Sequence, residues 1–190
     1  MQPQAWEEIE KIYSLPYVDQ KTVSQFRELK SNQSSHTKAE GNLLHYCSFF
    51  LPFDKSNNRI YLCHHIKADD WIPPGGHIEI GETPSDAAVR EMKEELNVVI
   101  NKSQLESWNL SVKPIGRPNT GCMAHYDVWH LVNIKEQPFD YDSREYYDAG
   151  WFNIREAVSK IKKNLDFAKI VSLLPLASPL KAPGAIIIQV

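Results

Sequence analysis

The segment "WIPPGGHIEIGETPSDAAVREMKEELNV", Trp71 to Val98, carries the most unusual pattern in the chain. Gly75 and Gly76 allow backbone conformations and close approaches that residues with a side chain forbid. The following residues predict a helix from about Pro84 to Glu95, because Thr83 is a suitable N-cap and proline is favoured at the first helical position. A glycine turn therefore leads directly into a helix rich in glutamate.

Three glutamates lie on one side of this helix, since Glu94 and Glu95 follow Glu91 by three and four residues. The opposite side is an apolar stripe of Ala88, Met92 and Leu96. Such an acidic cluster is either an ordinary solvated face or a site for divalent cations. The glycine turn favours the cation site, because carboxylates and a backbone carbonyl are the oxygen ligands of Mg²⁺ or Mn²⁺. A water on such an ion becomes a nucleophile near neutral pH, which points to hydrolysis of a phosphoanhydride.

The segment resembles the Nudix box, G-x5-E-x7-R-E-U-x-E-E-x-G-U, in which U is a bulky aliphatic residue. The fixed positions fall on Gly76, Glu82, Arg90, Glu91, Glu94 and Glu95. Met92 and Val98 fill two aliphatic positions, and Asn97 stands where the family has its second glycine. Asparagine tolerates the left-handed conformation that often ends a helix, so the geometry of the box is expected to survive this change.

The resemblance implies a fold, an activity and a set of roles. The fold is an α/β/α sandwich around a mixed β-sheet, and the family hydrolyses nucleoside diphosphates linked to another moiety with a divalent metal. By this similarity Glu91, Glu94 and Glu95 would hold Mg²⁺ or Mn²⁺, and the Gly76 carbonyl would be a further ligand. Glu82 and Arg90 would pair in a structural role. Which glutamate acts as the base varies within the family and stays open here.

A fourth catalytic acid is expected outside the box. The sequence "SREYYDAGWF" places Glu145 six residues before Trp151, as in the loop that carries such an acid in several relatives. The other acids near this loop are Asp140, Asp142 and Asp148. Each could take the place of Glu145, which otherwise is a surface glutamate.

The substrate contacts are less constrained by the pattern. Trp71 is a candidate for stacking on a base or sugar, although a tryptophan here also suits the core. His77 is a candidate for contacting a phosphate oxygen, or is a plain loop histidine. Arg117 and Tyr126 are further candidates for binding the substrate.

The rest of the chain predicts strands interleaved with few helices, which suggests a mixed sheet covered by helices. Two short helices are expected in the first thirty residues, and a long one from Ile154 to Leu174 with Leu165 on its inner face. Strands are expected at Leu43–Phe53, Arg59–His65, Ser107–Ile115, Ala124–Ile134 and Ala149–Ile154. The expected division is an N-terminal helical extension over 1–36, a Nudix hydrolase domain over 37–174 and a tail over 175–190.

Composition narrows the class of protein. The chain has 190 residues, of which 42% are hydrophobic and 11% aromatic, which is enough for a packed core. A net charge of -3 argues against the basic surface that binds nucleic acid. No apolar run reaches the ~18 residues of a membrane span, and the N-terminus lacks a signal-peptide pattern. The cysteines Cys47, Cys63 and Cys122 form no CxxC pair, so small buried residues in a reducing, cytoplasmic compartment are expected.

The predicted protein is a metal-dependent Nudix hydrolase that cleaves a pyrophosphate linkage in a nucleotide-like small molecule. A protein that binds or senses nucleotides without hydrolysis is the main alternative, because a fold does not determine a function. An isomerase of the isopentenyl diphosphate type ranks last, since the box is nearly complete. The apolar tail is compatible with a homodimer.

Overall fold

The computed structural model describes residues 3–32, 35–117, 119 and 121–177, which form a seven-stranded mixed sheet with helices on both faces. The helices are α1 (Pro3–Ile12), α2 (Gln20–Asn32), α3 (Pro84–Leu96), α4 (Ile154–Lys160), α5 (Leu165–Ser172) and α6 (Leu174–Ala177). The strands are β1 (Leu44–Asp54), β2 (Arg59–His65), β3 (Asp70–Ile72), β4 (Gly75–His77), β5 (Leu105–Arg117), β6 (Cys122–Asn133) and β7 (Tyr146–Asn153). The predicted α/β fold with a mixed sheet is confirmed.

Strand β1 is the centre of the sheet. The main strand order is β3-β2-β1-β6-β5, with β4 paired to β1 and β7 paired to β2. β1 and β6 run parallel over ten residue pairs, from Leu44–Ala124 to Phe53–Asn133, whereas the other pairs are antiparallel. Because side chains alternate along a strand, β1 sends neighbouring residues to opposite faces of the sheet.

Each face of the sheet has its own hydrophobic cluster. On one face Phe49 and Trp129 pack against Phe167 of α5, with ring centroids 4.9 and 5.0 Å away. On the other face Tyr46 contacts Phe26 of α2 at 5.5 Å, in a cluster that also contains residues of α1 and α3. The two predicted N-terminal helices are present and share this cluster with the sheet.

Helix α3 begins and ends as the sequence predicts. The hydroxyl of Thr83 accepts the N–H of Asp86 at 3.2 Å, and the Asp86 carboxylate accepts the N–H of Thr83 at 3.1 Å. At the other end Asn97 is left-handed, with φ 53° and ψ 32°, and the Val98 N–H donates to the Met92 carbonyl at 3.1 Å. The predicted stripe of Ala88, Met92 and Leu96 is fully buried.

The prediction of one long final helix is wrong, because two shorter helices, α4 and α5, are separated by residues 161–164. The buried carboxylate of Asp70 accepts the backbone N–H groups of Lys162, Lys163 and Asn164 at 2.8–2.9 Å. These donors would bond to carbonyls four residues earlier in a continuous helix. The break also turns Leu165 outward, where it is 67% exposed rather than on the inner face.

Strands β3 and β4 lie in the proline–glycine passage, where no strand is predicted from the sequence. Residues 178–190 lie outside the described part of the structure, and so does most of the predicted tail. The domain division at 36 and 174 stays a prediction. Among the described residues, no helix has both the length and the apolar character needed to cross a membrane.

Candidate active site

Arg90 ties the glycine turn to helix α3. Its Nε and Nη2 donate to the two carboxylate oxygens of Glu82 at 2.7 and 3.0 Å, and Nη2 also donates to the His77 carbonyl at 3.0 Å. Its Nη1 lies 2.9 Å from Glu91 Oε1 and 3.1 Å from Glu94 Oε2. A guanidinium suits this position because its planar fork can serve several acceptors at once.

Strand β4 brings the turn directly onto two of the helix glutamates. The N–H of Gly75 donates to Glu95 Oε2 at 3.0 Å. A Cβ added to Gly76 would lie 2.8 Å from Glu91 Cδ and closer still to its Oε1. Gly75 has φ 148°, and a Cβ there would lie 2.8 Å from the Phe49 Cα of β1. Gly75 is therefore required by the backbone of β1, whereas a side chain at Gly76 would displace the end of the Glu91 side chain.

The three glutamates differ in exposure. Glu91 is buried, and burial raises its pKa against the opposing effect of Arg90. Burial and the nearby charge of Glu91 raise the pKa of Glu95 to about 8, although hydrogen bonds from Tyr146 and Gly75 act in the opposite direction. The side chain of Glu94 is 59% exposed. Two buried carboxylates thus lie close enough to disfavour each other's ionised form.

The loop before β7 reaches the end of helix α3. The Asp142 N–H donates to the Glu95 carbonyl at 2.8 Å, and the charge of Glu145 contributes to raising the pKa of Glu95. The Glu145 carboxylate itself lies 3.4 Å from Lys67 Nζ and 3.9 Å from His65 Nε2. The Asp142 carboxylate forms an ion pair with Arg144, with 2.6 Å between Oδ2 and Nη2.

Tyr146 is a residue of this site that the sequence analysis missed. It is buried, and its hydroxyl donates a hydrogen bond to Glu95. Its position next to Glu145 was the available signal, but adjacency along a strand does not show which side chain points at the helix.

The four predicted substrate contacts lie in different parts of the sheet. Trp71 stacks on His64 at 5.4 Å on the face covered by α4, where Lys160 Nζ lies 4.4 Å from its ring. Tyr126 packs against Phe26 of α2 at 5.3 Å, on the opposite face. Arg117 ends β5 opposite Cys122, on the strand that follows.

His77 is the last residue of β4, and its backbone and its ring have different partners. Its carbonyl faces Arg90, but its ring packs against His45 and His125, with centroids 4.9 and 5.1 Å away. His45, His77, Cys122 and His125 form a group whose side-chain types could hold a metal ion. This group contains none of the predicted glutamate ligands. The spacing of its four residues in the sequence does not match a metal-binding motif.

Comparison with known proteins identifies the family of the chain. The family model described as the NUDIX domain matches residues 47–174. An asymmetrical bis(5'-nucleosyl)-tetraphosphatase of Caenorhabditis elegans is 31% identical over 104 residues, which are 55% of this chain and 70% of that protein. The m7GpppN-mRNA hydrolase NUDT17 of Xenopus laevis is 32% identical over 69 residues, which are 35% of this chain but 23% of that protein.

The fold has a counterpart among solved structures. The Escherichia coli dihydroneopterin triphosphate pyrophosphohydrolase superposes with a TM-score of 0.55 at 17% identity, covering 70% of this chain and 95% of that one. At this identity the likeness concerns the fold alone. The chain belongs to the NUDIX domain family, which confirms the predicted family and the predicted class of enzyme, a Nudix-type pyrophosphohydrolase.

Proposed function

We propose that this protein hydrolyses a pyrophosphate linkage in a nucleoside diphosphate derivative or a related nucleotide, with Mg²⁺ or Mn²⁺ as cofactor. The observation that carries the proposal is the convergence of Gly76, Glu91 and Glu95 at the junction of β4 and α3. The turn approaches the helix so closely that a methyl group at Gly76 would collide with a carboxylate. The junction thus holds Gly75 and Gly76 against the side chains of Glu95 and Glu91.

The donors at this junction fit a hard divalent cation. Burial raises the pKa of Glu91 against the opposing charge of Arg90, and burial together with the charge of Glu91 raises that of Glu95. Glu91, Glu94, Glu95 and the Gly76 carbonyl would supply oxygen ligands, which Mg²⁺ and Mn²⁺ prefer. When bound, such an ion neutralises the diphosphate and lowers the pKa of a coordinated water.

The protein's own groups would position the reactants and move a proton. Burial and the charge of Glu91 raise the pKa of Glu95 in the metal-free protein, and a bound cation would favour the ionised carboxylate that can accept a proton from water. Tyr146 and the Gly75 N–H fix the orientation of its carboxylate. Arg90 holds Glu91 and Glu82 in place through ion pairs. Its guanidinium is therefore assigned to these carboxylates and not to the substrate.

The proposed substrate is a nucleotide whose phosphate chain either joins two nucleosides or is attached to one nucleoside. The Caenorhabditis elegans relative is named for a bis(5'-nucleosyl)-tetraphosphate, so dinucleoside polyphosphates are the first class to test. Trp71, His77, Arg117 and Tyr126 stay candidate contacts, but Trp71 and Tyr126 lie on opposite faces of the sheet, so one substrate would contact only one of these two. A cytoplasmic location and a homodimer also stay proposals.

Substitution of the glutamates tests the assigned roles. Glu94→Gln and Glu95→Gln keep the shape of each side chain but remove a charge, so turnover is expected to fall by about a hundredfold or more. Glu79→Gln is the matched control, because Glu79 is an exposed carboxylate of the preceding turn. Turnover that falls equally in the control, or not at all in Glu95→Gln, would remove the glutamates from the mechanism.

Glu145→Gln tests the proposed fourth acid. Loss of a carboxylate that acts in proton transfer or metal binding should lower the turnover rate by about tenfold or more. Glu106→Gln changes a surface glutamate that pairs with Lys55, as Glu145 pairs with Lys67, and serves as the control. Unchanged turnover in Glu145→Gln would assign Glu145 to the surface pair with Lys67.

A further inference from the structure

The His/Cys cluster, defined as His45, His77, Cys122 and His125, lies where the three strands β1, β4 and β6 meet. His45 of β1 is directly opposite His125 of β6, and His77 of β4 is opposite Cys47, two residues beyond His45 on β1. Directly opposed residues, and residues two apart on one strand, point to the same face of a sheet. The strand register therefore brings together three histidines that are up to 80 positions apart in the sequence.

The candidate ligand atoms of the cluster are mutually close. All four lie within 4.8 Å of one another, and Cys122 Sγ is 3.8 Å from His45 Nε2. A tetrahedral zinc site has Zn–S bonds of about 2.3 Å and Zn–N bonds of about 2.0–2.1 Å, which place sulfur about 3.6 Å from nitrogen. The observed separation of Cys122 Sγ and His45 Nε2 is close to that value.

The ring nitrogens of the cluster are prepared to act as ligands. His45 is fully buried, and its Nδ1 lies 2.8 Å from the Asn42 carbonyl, so Nδ1 carries the proton and the Nε2 lone pair faces Cys122. In metal sites such a second hydrogen bond commonly orients the ligating histidine. The Nε2 atoms of His77 and His125 are buried without a hydrogen-bond partner among the described residues.

The protonation state of the histidines also suits metal binding. Burial and the neighbouring histidines lower the pKa of His125 to about 3. Burial also lowers the pKa of His45. These two imidazoles are therefore neutral at pH 7, which is the form that binds metals.

We propose that the His/Cys cluster is a second metal site, which binds Zn²⁺ or another borderline transition-metal ion and is separate from the glutamate site. Three imidazoles and a thiolate are soft or borderline donors, which favour such ions over Mg²⁺. Binding forms a metal–sulfur bond and releases the Cys122 thiol proton to solvent. The bound ion cross-links β1, β4 and β6.

This cross-link gives the second site a structural role in the first. Strand β4 is only three residues long, yet it carries both Gly76, which lies against Glu91, and His77 of the His/Cys cluster. A metal that holds His77 would fix β4 against β1 and β6. Zinc binding should accordingly raise the thermal unfolding temperature of the full chain.

Cobalt substitution tests the site directly. The full chain, purified without a histidine tag and freed of metals by a chelator, is titrated with Co²⁺ alone. The expected result is a thiolate-to-cobalt charge-transfer band with the visible absorption of a tetrahedral ion, saturating at one equivalent and lost when Zn²⁺ is added. A titration that yields no thiolate band would overturn the proposal.

Matched variants identify the sulfur. Cys122→Ser should lose the charge-transfer band, and Cys47→Ser should keep it, although Cys47 also lies near His125. His125→Gln should weaken Co²⁺ binding by about tenfold or more. A band that disappears in Cys47→Ser and persists in Cys122→Ser would assign the metal to other residues and contradict the proposal.

Two further measurements make the result independent of variant folding and of the proposed hydrolysis. X-ray absorption of the zinc-loaded wild-type chain should show one sulfur at about 2.3 Å with nitrogens at about 2.0 Å, whereas a shell of oxygens alone would refute the site. Glu95→Gln should lose turnover but keep the cobalt spectrum. Loss of that spectrum would show that the two sites are not separate.

Discussion

At the scale of single residues, Gly76 is where β4 meets helix α3, which carries the proposed catalytic glutamates. Gly76→Ala would place a methyl group against the end of the Glu91 side chain, which can rotate away without unfolding the protein. We expect turnover to fall by about tenfold to a hundredfold, because a displaced carboxylate no longer meets the metal and substrate correctly. Steady-state kinetics and thermal unfolding measure the two effects separately.

Gly150→Ala is the control for this change. Its added Cβ would lie 3.5 Å from the Phe152 ring, which is an ordinary contact. Both variants should fold, and only Gly76→Ala should be impaired in turnover. Equal turnover of the two variants would mean that the approach of Gly76 to Glu91 has no role in catalysis.

His130 is a second residue with a measurable consequence. It is fully buried, and burial lowers its pKa to about 4. As the pH falls from about 6.5 to 4, the unfolded chain binds a proton at this position that the folded chain does not. The folded-state pKa is the lower one, so the free energy of unfolding decreases as the pH falls through this window.

His130→Leu should remove this contribution. Urea unfolding of wild type and variant from pH 7 to pH 4 should show a difference in slope of up to about 1.4 kcal/mol per pH unit. His130→Gln also lacks a titrating group and should show the same flattened slope, whatever its effect on packing. Parallel pH profiles for wild type and both variants would contradict the assigned pKa.

Residues of the Nudix box were predictable because their contacts are local. Glu82 and Arg90 are eight positions apart, and a turn followed by one helix brings them together. The His/Cys cluster was not predictable, since it depends on the register between β1, β4 and β6. No pattern near His45 or Cys122 reports which residue lies on the neighbouring strand.

At the scale of elements, Asp70 separates α4 from α5. Its carboxylate serves three backbone N–H groups, and these hydrogen bonds hold its pKa below the usual range even though burial acts to raise it. Asp70→Ala should lower the free energy of unfolding by about 2–3 kcal/mol, because buried donors lose their acceptor. Urea unfolding measures this loss.

The neighbouring Asp69 provides the control for Asp70. Its side chain is 68% exposed and pairs with Lys163 at the surface, so Asp69→Ala should change the free energy of unfolding by less than about 1 kcal/mol. If the two substitutions cost the same, Asp70 does not act as the buried acceptor for this break.

The break also shows what helical periodicity leaves out. One continuous helix would bury Ala157, Ile161, Leu165 and Ala168 on the same side. Three of these residues are buried, but Leu165 is exposed. The residue that interrupts the helix is Asp70, which lies more than ninety positions before Lys162 in the sequence. Its hydrogen bond from the Lys162 N–H is therefore a long-range contact. Likewise β4 has no alternation of polar and apolar residues, and pairing with β1 alone defines it as a strand.

At the scale of the whole molecule, the N-terminal helices share a core with the sheet. Phe26 of α2 is fully buried against Tyr46 and Tyr126. Phe26→Ala should lower the free energy of unfolding by about 3–5 kcal/mol and keep a single cooperative transition. Unfolding followed by circular dichroism and by tryptophan fluorescence measures both quantities.

Val99→Ala is the corresponding surface control, because Val99 is 77% exposed and should contribute within about 0.5 kcal/mol. Two separate transitions in Phe26→Ala, or a cost no larger than that of the control, would show that α1 and α2 fold independently of the sheet.

The central claim is metal-dependent hydrolysis at the junction of β4 and α3. The measurement that tests it most directly is product analysis by chromatography after incubation with dinucleoside polyphosphates, nucleotide sugars, ADP-ribose, NADH, coenzyme A and nucleoside triphosphates. Each substrate is tested with Mg²⁺ and again with EDTA. We predict that at least one is cleaved at a phosphoanhydride bond with Mg²⁺ and is left intact in EDTA. Full turnover in EDTA would contradict the account, and so would tight nucleotide binding without cleavage of any substrate.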